Sequence, residues 1–300
     1  MKVKSVGEIE FIERIRRRVP KLHDAIVGIG DDCAVLNYTD DRYLLITADM
    51  LIEDIHFDLR KVSAFKVGRK ALAVSLSDIA SMAGQPKYAL ASVGIPAEFA
   101  LSAVDAFYDG LLKLAKEFGV ELIGGDTNRS DKFICDVCVI GEVRKEYLIT
   151  RRGAKVGDGI FVTGLLGGSI KSKHYDFTPR LREAQILARD FKIHSMIDIS
   201  DGLSLDLHHI TDASNVGAVV YDDCIPMSHD ARSRQDALAG GEDFELLFTA
   251  ARDVTEEALR KRLGIPVRKI GKIVARSAGV RLEGSKGTSK EFKREGYTHF

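Results

Sequence analysis

Carboxylates recur in this chain beside glycines or at the ends of apolar runs: Gly28-Ile29-Gly30-Asp31-Asp32, Thr47-Ala48-Asp49, Gly124-Gly125-Asp126, Asp198-Ile199-Ser200-Asp201 and Gly241-Glu242-Asp243. Another, Asp78, stands inside an alanine-rich helical stretch with no neutralising neighbour in sequence. A fold that gathers such groups makes them repel one another and strips their hydration, so it needs cations. Hard divalent ions with oxygen ligands answer that need, and a phosphate chain shares them. The chemistry indicated is phosphoryl transfer on magnesium.

Three hundred residues at 45% hydrophobic composition can build one large domain or two medium ones. A formal net charge of zero leaves no electrostatic footprint for nucleic acid. No apolar stretch reaches bilayer length, and the basic start Met1-Lys2-Val3-Lys4 runs into Glu8 and Glu10 instead of a signal-peptide core, so neither membrane nor export is expected. Four cysteines make no disulfide framework, and the expected compartment is the cytoplasm. Cys135-Asp136-Val137-Cys138 has CxxC spacing, but it lies in an alternating, strand-like run, 133–143, where residues three apart face opposite ways. Structural cysteines are the reading there.

Helical periodicity covers 8–19, 64–83 and, most clearly, 98–118, with Gly119 as its stop. Strands are expected at 34–37, 43–47, 87–95, 120–123 and 133–143, so the first half reads as an α+β layer. A second unit begins near Thr150-Arg151-Arg152-Gly153. It holds strands 160–163, 196–199, 218–221 and 244–249, helices 180–190, 203–214 and 255–263, and closing strands. Residues 1–148 and 149–300 are the expected domains.

Common nucleotide motifs fail: the P-loop pattern is absent, Gly28-x-Gly30 is followed by Cys33 where a Rossmann turn wants a small residue, and the kinase triplets are missing. Each acid also has a plain alternative. Asp31 and Asp32 fit a turn, yet adjacent acids leading straight into Ala34-Val35-Leu36 favour a metal role for at least one. Asp49 ends an apparent strand, where ligand groups gather. Asp126 follows two glycines that let a phosphate or metal approach the backbone. Asp78 shares a helical face with Val74, Ala71 and Met82 and so points inward. Ser200 or Asp201 fits a helix N-cap, which leaves Asp198 unexplained and is itself an anion site. His208 and His209 read as surface and packing residues, and His56 on spacing alone as a core histidine.

These motifs, in this order, resemble thiamine-monophosphate kinase, of the superfamily that includes aminoimidazole ribonucleotide synthetase and selenophosphate synthetase. The resemblance runs from Gly28-Ile29-Gly30-Asp31-Asp32-Cys33-Ala34 through Lys70-Ala71-Leu72-Ala73-Val74-Ser75-Leu76-Ser77-Asp78, Leu122-Ile123-Gly124-Gly125-Asp126-Thr127, Ile197-Asp198-Ile199-Ser200-Asp201-Gly202 and Gly240-Gly241-Glu242-Asp243-Phe244-Glu245-Leu246 to Gly296-Tyr297-Thr298-His299-Phe300. It implies direct in-line transfer of the γ-phosphoryl group of ATP to thiamine monophosphate, giving thiamine diphosphate and ADP. Asp32, Thr47, Asp49, Asp78, Asp126, Asp198 and Asp201 would hold several magnesium ions. Tyr108, Gly125, Asp126, Arg151 and Ser200 would meet ATP, and His56, Glu242 and Tyr297 the thiamine substrate. Asp32, Asp78, Asp126 and Arg151 form the catalytic set so implied. The implied fold has two α+β domains. The N-terminal one is a mixed or antiparallel sheet with long helices, pairing as a homodimer into a barrel. The C-terminal one is an α/β sandwich.

Two departures stand out. Ala48 replaces a threonine frequent before the metal-binding aspartate, and the segment 170–180 is short where relatives carry a longer insertion, so this wall of the substrate pocket is expected to differ. The rival readings are another ATP-dependent ligase or kinase of the superfamily, such as aminoimidazole ribonucleotide synthetase, or a non-catalytic metal or nucleotide sensor. Selenophosphate synthetase needs a reactive cysteine in a Gly-rich N-terminal loop, whereas the first cysteine here, Cys33, lies inside the metal motif. Hydrogenase-maturation relatives end in a reactive cysteine, and this chain ends in Phe300.

Overall fold

The structure, a computed structural model, describes residues 5–20, 25–171, 173–284 and 287–299; the basic start at 1–4 and Phe300 lie outside them. In the first half, α1 (Glu8–Arg16) precedes β1 (Ala25–Val27), β2 (Ala34–Asn37) and β3 (Arg42–Ile52); α2 (Ala64–Ser81), β4 (Gln85–Ile95), α3 (Leu101–Phe118), β5 (Glu121–Arg129) and β6 (Ile134–Arg144) follow. The strands form one sheet in the order β1-β2-β3-β6-β4-β5. Only β4 and β5 run parallel, because α3 is the crossover between them.

In the second half come β7 (Gly159–Thr163), α4 (Lys173–Asp176), α5 (Leu181–Asp190), β8 (Ile193–Asp198), α6 (Leu203–Ser214), β9 (Gly217–Tyr221), α7 (Arg234–Ala239), β10 (Leu246–Ala250), α8 (Glu256–Leu263), β11 (Val267–Val274), β12 (Val280–Glu283) and β13 (Ser289–Glu291). Their sheet has the order β13-β12-β9-β11-β7-β10-β8, with β9 and β12 its parallel pair. The expected α+β class and two-sheet organisation are met.

The centre of the molecule is α2. Its start is capped by Ser63, whose side chain accepts from Lys66 N. Alanines and serines keep it slim, and it is buried on nearly every side, the signature of a core helix rather than a surface one. Leu72, Leu76 and Ile79 are fully buried, each contributing about 1.5–3 kcal/mol by burial. Two glycines set how closely α2 meets α3: a Cβ on Gly68 would lie 1.8 Å from the Phe107 carbonyl, and one on Gly110 would lie 1.8 Å from the Phe65 carbonyl. On its other side α2 touches α4, α5 and β8. One apolar core therefore runs from the first sheet through α2 to the inner face of the second, where Phe161 stacks on Phe248 at 5.5 Å. A second core, with Val162, Ile197, Leu207 and Leu247, fills the far face under α6.

In β3 and β6 burial alternates residue by residue, so the first sheet has an inner face on α2 and an outer face. Met50, Asp136, Ser92 and Asp126 are register partners across β3, β6, β4 and β5 on the outer face, and Met50 and Ile123 are exposed. Cys135 is buried and Cys138 half-buried on opposite faces, and all four cysteines are free. Among the described residues no helix is long and apolar enough to cross a membrane.

Three boundaries differ from the sequence reading. α1 stops at Arg16, and none of its residues is buried. β3 continues to Ile52 because β6 supplies ladder partners to Ile134, which places Asp49 inside the strand instead of at its end. β5 continues to Arg129 alongside β4, which places Gly124, Gly125 and Asp126 in an edge strand and not in a loop.

Candidate active site

The fold brings Asp32 from the turn before β2, Asp78 from α2 and Asp198 from the end of β8 together, with carboxylate oxygens all within 4.8 Å of one another. Thr47 donates to Asp78 at 2.5 Å, and Ser77 donates to Asp198 at 2.6 Å. Asp49, on the inner face of β3, is one of the carboxylates whose charge Asp78 feels. Burial pushes Asp198 up to about 8, helped by the charge of Asp32. It also pushes Asp78 well above the carboxylate range, with Asp49, Asp198 and Asp32 adding repulsion, and raises Asp49. Asp32 Oδ2 and Asp49 Oδ2 are buried with no partner among the described residues.

Among the described residues Arg151 is the cation at this site, with Nε 3.1 Å from Asp32 Oδ1 and Nη2 closer still. One guanidinium leaves the remaining carboxylates unbalanced. Asp31 differs from its neighbour: it accepts from the backbone N–H groups of Asp32 and Arg151, both at 3.1 Å, which is turn and clamp work. A divalent cation fits the donor set. It has several carboxylate oxygens converging, two of them bare, and charges that cancel only if something positive joins them.

The strand-to-helix turn after β8 carries Ser200 and Asp201. The expected side-chain N-cap is not there: Gly202 occupies that position, its N–H satisfied at 3.0 Å by Asp206 from inside α6. Asp201, Asp206 and His209 offer ligand atoms within 4.8 Å of one another, and burial raises Asp201 to about 6.

Beside the acids opens a cleft of about 1020 Å³ whose lining includes Asp49, Ser200 and Asp201 together with His56, Glu242 and Tyr297. His56 is not a core residue: it is half-buried, its Nδ1 accepts from Ile52 N at 3.0 Å, and its ring lies 5.2 Å from that of His299. Tyr297 is set beside α6 by its N–H donating to the Asp201 carbonyl at 2.9 Å. Glu242 sits at φ 55°, a left-handed conformation costly for a residue with a Cβ. Its Oε1 is 2.6 Å from Lys70 Nζ and its Oε2 2.5 Å from His174 Nδ1, and these two partners hold its pKa below the usual value against its burial. The short segment 170–180 does form a wall, through His174 and Tyr175 of α4.

Three of the expected residues join neither the acidic cluster nor this cleft. Tyr108 lies on α3, its ring edge-on to Phe107. Asp126 is exposed on the outer face of β5 and accepts from Asn128 at 2.6 Å. Gly125 needs no side chain for a packing reason as well, since a Cβ there would lie 1.8 Å from the Ala91 carbonyl of β4.

Sequence reasoning missed Lys70, His174, Asp206 and His209 as members of the site. Lys70 had a signal: it precedes Val74, Ser77 and Asp78 by four, seven and eight residues, one helical face. Asp206 and His209 also share a helical face three apart. Nothing near His174 in sequence marks it.

Residues 30–143 match the AIR synthase related protein N-terminal domain, and residues 155–282 match its C-terminal domain. A thiamine-monophosphate kinase of Rhodopirellula baltica is 34% identical over 287 residues, covering 90% of this chain and 90% of its own. The chain belongs to the thiamine-monophosphate kinase family. A member from Bacillus subtilis is 33% identical over 325 residues, covering 98% of this chain and all of its own. The structure of AaThiL complexed with AMPPCP and TMP is similar to this one with a TM-score of 0.86 at 28% identity, covering 100% of this chain and 99% of that one. The family's two-domain fold accounts for the two mixed sheets with their helices.

Proposed function

We propose that this chain transfers the γ-phosphoryl group of ATP to thiamine monophosphate, giving thiamine diphosphate and ADP. The observation that carries this reading is the meeting of Asp32, Asp78 and Asp198, with bare oxygens on Asp32 and Asp49, beside a cleft that also holds His56, Glu242 and Tyr297. The acceptor is a phosphate oxygen, anionic at neutral pH, so no general base is required. Transfer then depends on aligning two polyanions and offsetting their charge.

Asp32, Asp49, Asp78, Asp198 and Asp201, with Thr47, would hold magnesium. The ions would neutralise the phosphate oxygens of both substrates. Arg151 holds Asp32 in place, and its guanidinium is the protein's own positive group for the transferring phosphate. Ser200 stands at the start of α6, where backbone N–H groups favour anions. His56, Glu242 and Tyr297 shape the acceptor side of the cleft.

We further infer a division at 148/149 into a dimerisation and metal-binding unit and a unit that completes the site, and a cytoplasmic enzyme, which suits four free thiols. The exposed outer face of the first sheet, with Ile26, Met50, Tyr88 and Ile123, and its β5 edge, unpaired among the described residues, support a homodimer. Gly125 and Asp126, together with Tyr108, would reach nucleotide through that assembly rather than within one chain.

Incubation with ATP, magnesium and thiamine monophosphate should yield thiamine diphosphate. ATP consumption that is indifferent to the acceptor would rule the assignment out.

A further inference from the structure

Lys70 has no side-chain exposure, an expensive state for an ammonium group. Its Nζ lies 3.0 Å from the His56 carbonyl, 2.6 Å from Glu242 Oε1 and 2.8 Å from His174 Nδ1. Those three atoms belong to three separate segments: the loop after β3, the loop between α7 and β10, and α4. Each contributes lining to the cleft, and Lys70 of α2 is the residue that reaches all three.

An apolar side chain of similar length would fill this space without the desolvation cost, so packing alone does not account for the charge. Glu242 supplies the reason. Its backbone is held at φ 55°, and its two carboxylate oxygens are caught separately, one by Lys70 and one by His174. Two charge-assisted contacts from different elements fix both the position and the plane of the carboxylate. The same ammonium ties down the carbonyl of His56, the other acceptor-side residue. His174 Nε2 remains buried and uncommitted among the described residues, so the cluster has hydrogen-bonding capacity to spare.

We propose that Lys70, assisted by His174, is the positioning residue of the acceptor subsite: it sets where Glu242 and His56 meet the thiamine substrate and does not touch the reacting atoms. The proposal rests on reading this cleft as the acceptor site.

The test is steady-state kinetics on the full chain with ATP, magnesium and thiamine monophosphate. Lys70→Met should raise KM for thiamine monophosphate about tenfold or more while kcat and KM for ATP stay within about twofold. Lys70→Met combined with Glu242→Gln should be little worse than Glu242→Gln alone, since one residue acts through the other. His174→Gln removes the second clamp and should raise the same KM by a smaller factor, which keeps the test open if Lys70→Met does not fold. A fall in kcat at unchanged acceptor KM, equal changes in both KM values, or fully additive effects would overturn the proposal. If the wild-type chain makes thiamine diphosphate and both single variants keep its acceptor KM, only this inference falls. If the wild-type chain makes none, the kinase reading falls and takes the inference with it.

Discussion

Glu245 and Asp78 are both buried carboxylates, and they live in opposite surroundings. Glu245 accepts from Arg180 through Nε and Nη2 at 2.8 Å, from Lys173 at 2.9 Å and from Thr163 at 2.8 Å, and these partners hold its pKa below the usual value despite burial. Asp78 faces Asp49, Asp198 and Asp32, and its pKa rises well above the carboxylate range. The protein furnishes cations for the first and withholds them from the second. Equal burial thus means a finished ion pair in one place and an opening for an external cation in the other.

The largest expected effect comes from Asp78→Asn. Turnover should fall about 100-fold or more, as loss of a metal ligand does, while the metal-free melting temperature holds or rises because a repulsion is gone. A matching loss of stability would show that Asp78 is structurally satisfied and would erase the contrast. Glu245→Gln should do the reverse: roughly 2–3 kcal/mol of stability lost in denaturant titrations, less than a fully buried pair because Arg180 and Lys173 keep some water, with the response to magnesium intact.

A pH series sharpens the comparison further. An unfolded aspartate gives up its proton near 3.8, whereas folded Asp198 keeps one until about 8. Between those values the folded chain binds more protons, so this group makes metal-free stability fall as pH rises. Magnesium competes with the protons, so the melting-temperature gain on adding it should be larger at pH 8.5 than at pH 6. A gain independent of pH would mean that the ion binds elsewhere. Smallest is the effect of Asp126→Asn on stability. Exposed on the edge strand with Asn128 as its hydrogen-bond donor, it should leave the melting temperature at the wild-type value, and a drop of several degrees would show that this carboxylate is a structural group instead of one kept for ligands.

Much of this was legible in the order of residues. Apolar periodicity located α2, α3 and most strands, the pairing of glycine with aspartate marked Asp32 and Asp201, and Asp198 stood out as an acid that a helix cap leaves unexplained. What escaped was set by partners far away in sequence. β3 runs past Asp49, and β5 past Asp126, because neighbouring strands offer further ladder bonds, which no local propensity records. The same is true of Lys70, whose role depends on segments 14, 104 and 172 positions away. Asp31 and Asp32 look alike as letters and part company only when Arg151 arrives from the second unit to hold both.

The glycine pair at Gly68 and Gly110 carries a consequence for how this molecule can change over time. Because backbone meets backbone there, not even a methyl group fits between the two helices, and neither can shift without dragging the other. Ser77, Asp78 and Lys70 ride on that locked assembly. Gly68 and Gly110 thereby calibrate the depth of the acidic trio, and drift at either position should blunt the enzyme while every carboxylate of the trio and every side chain of the cleft is retained.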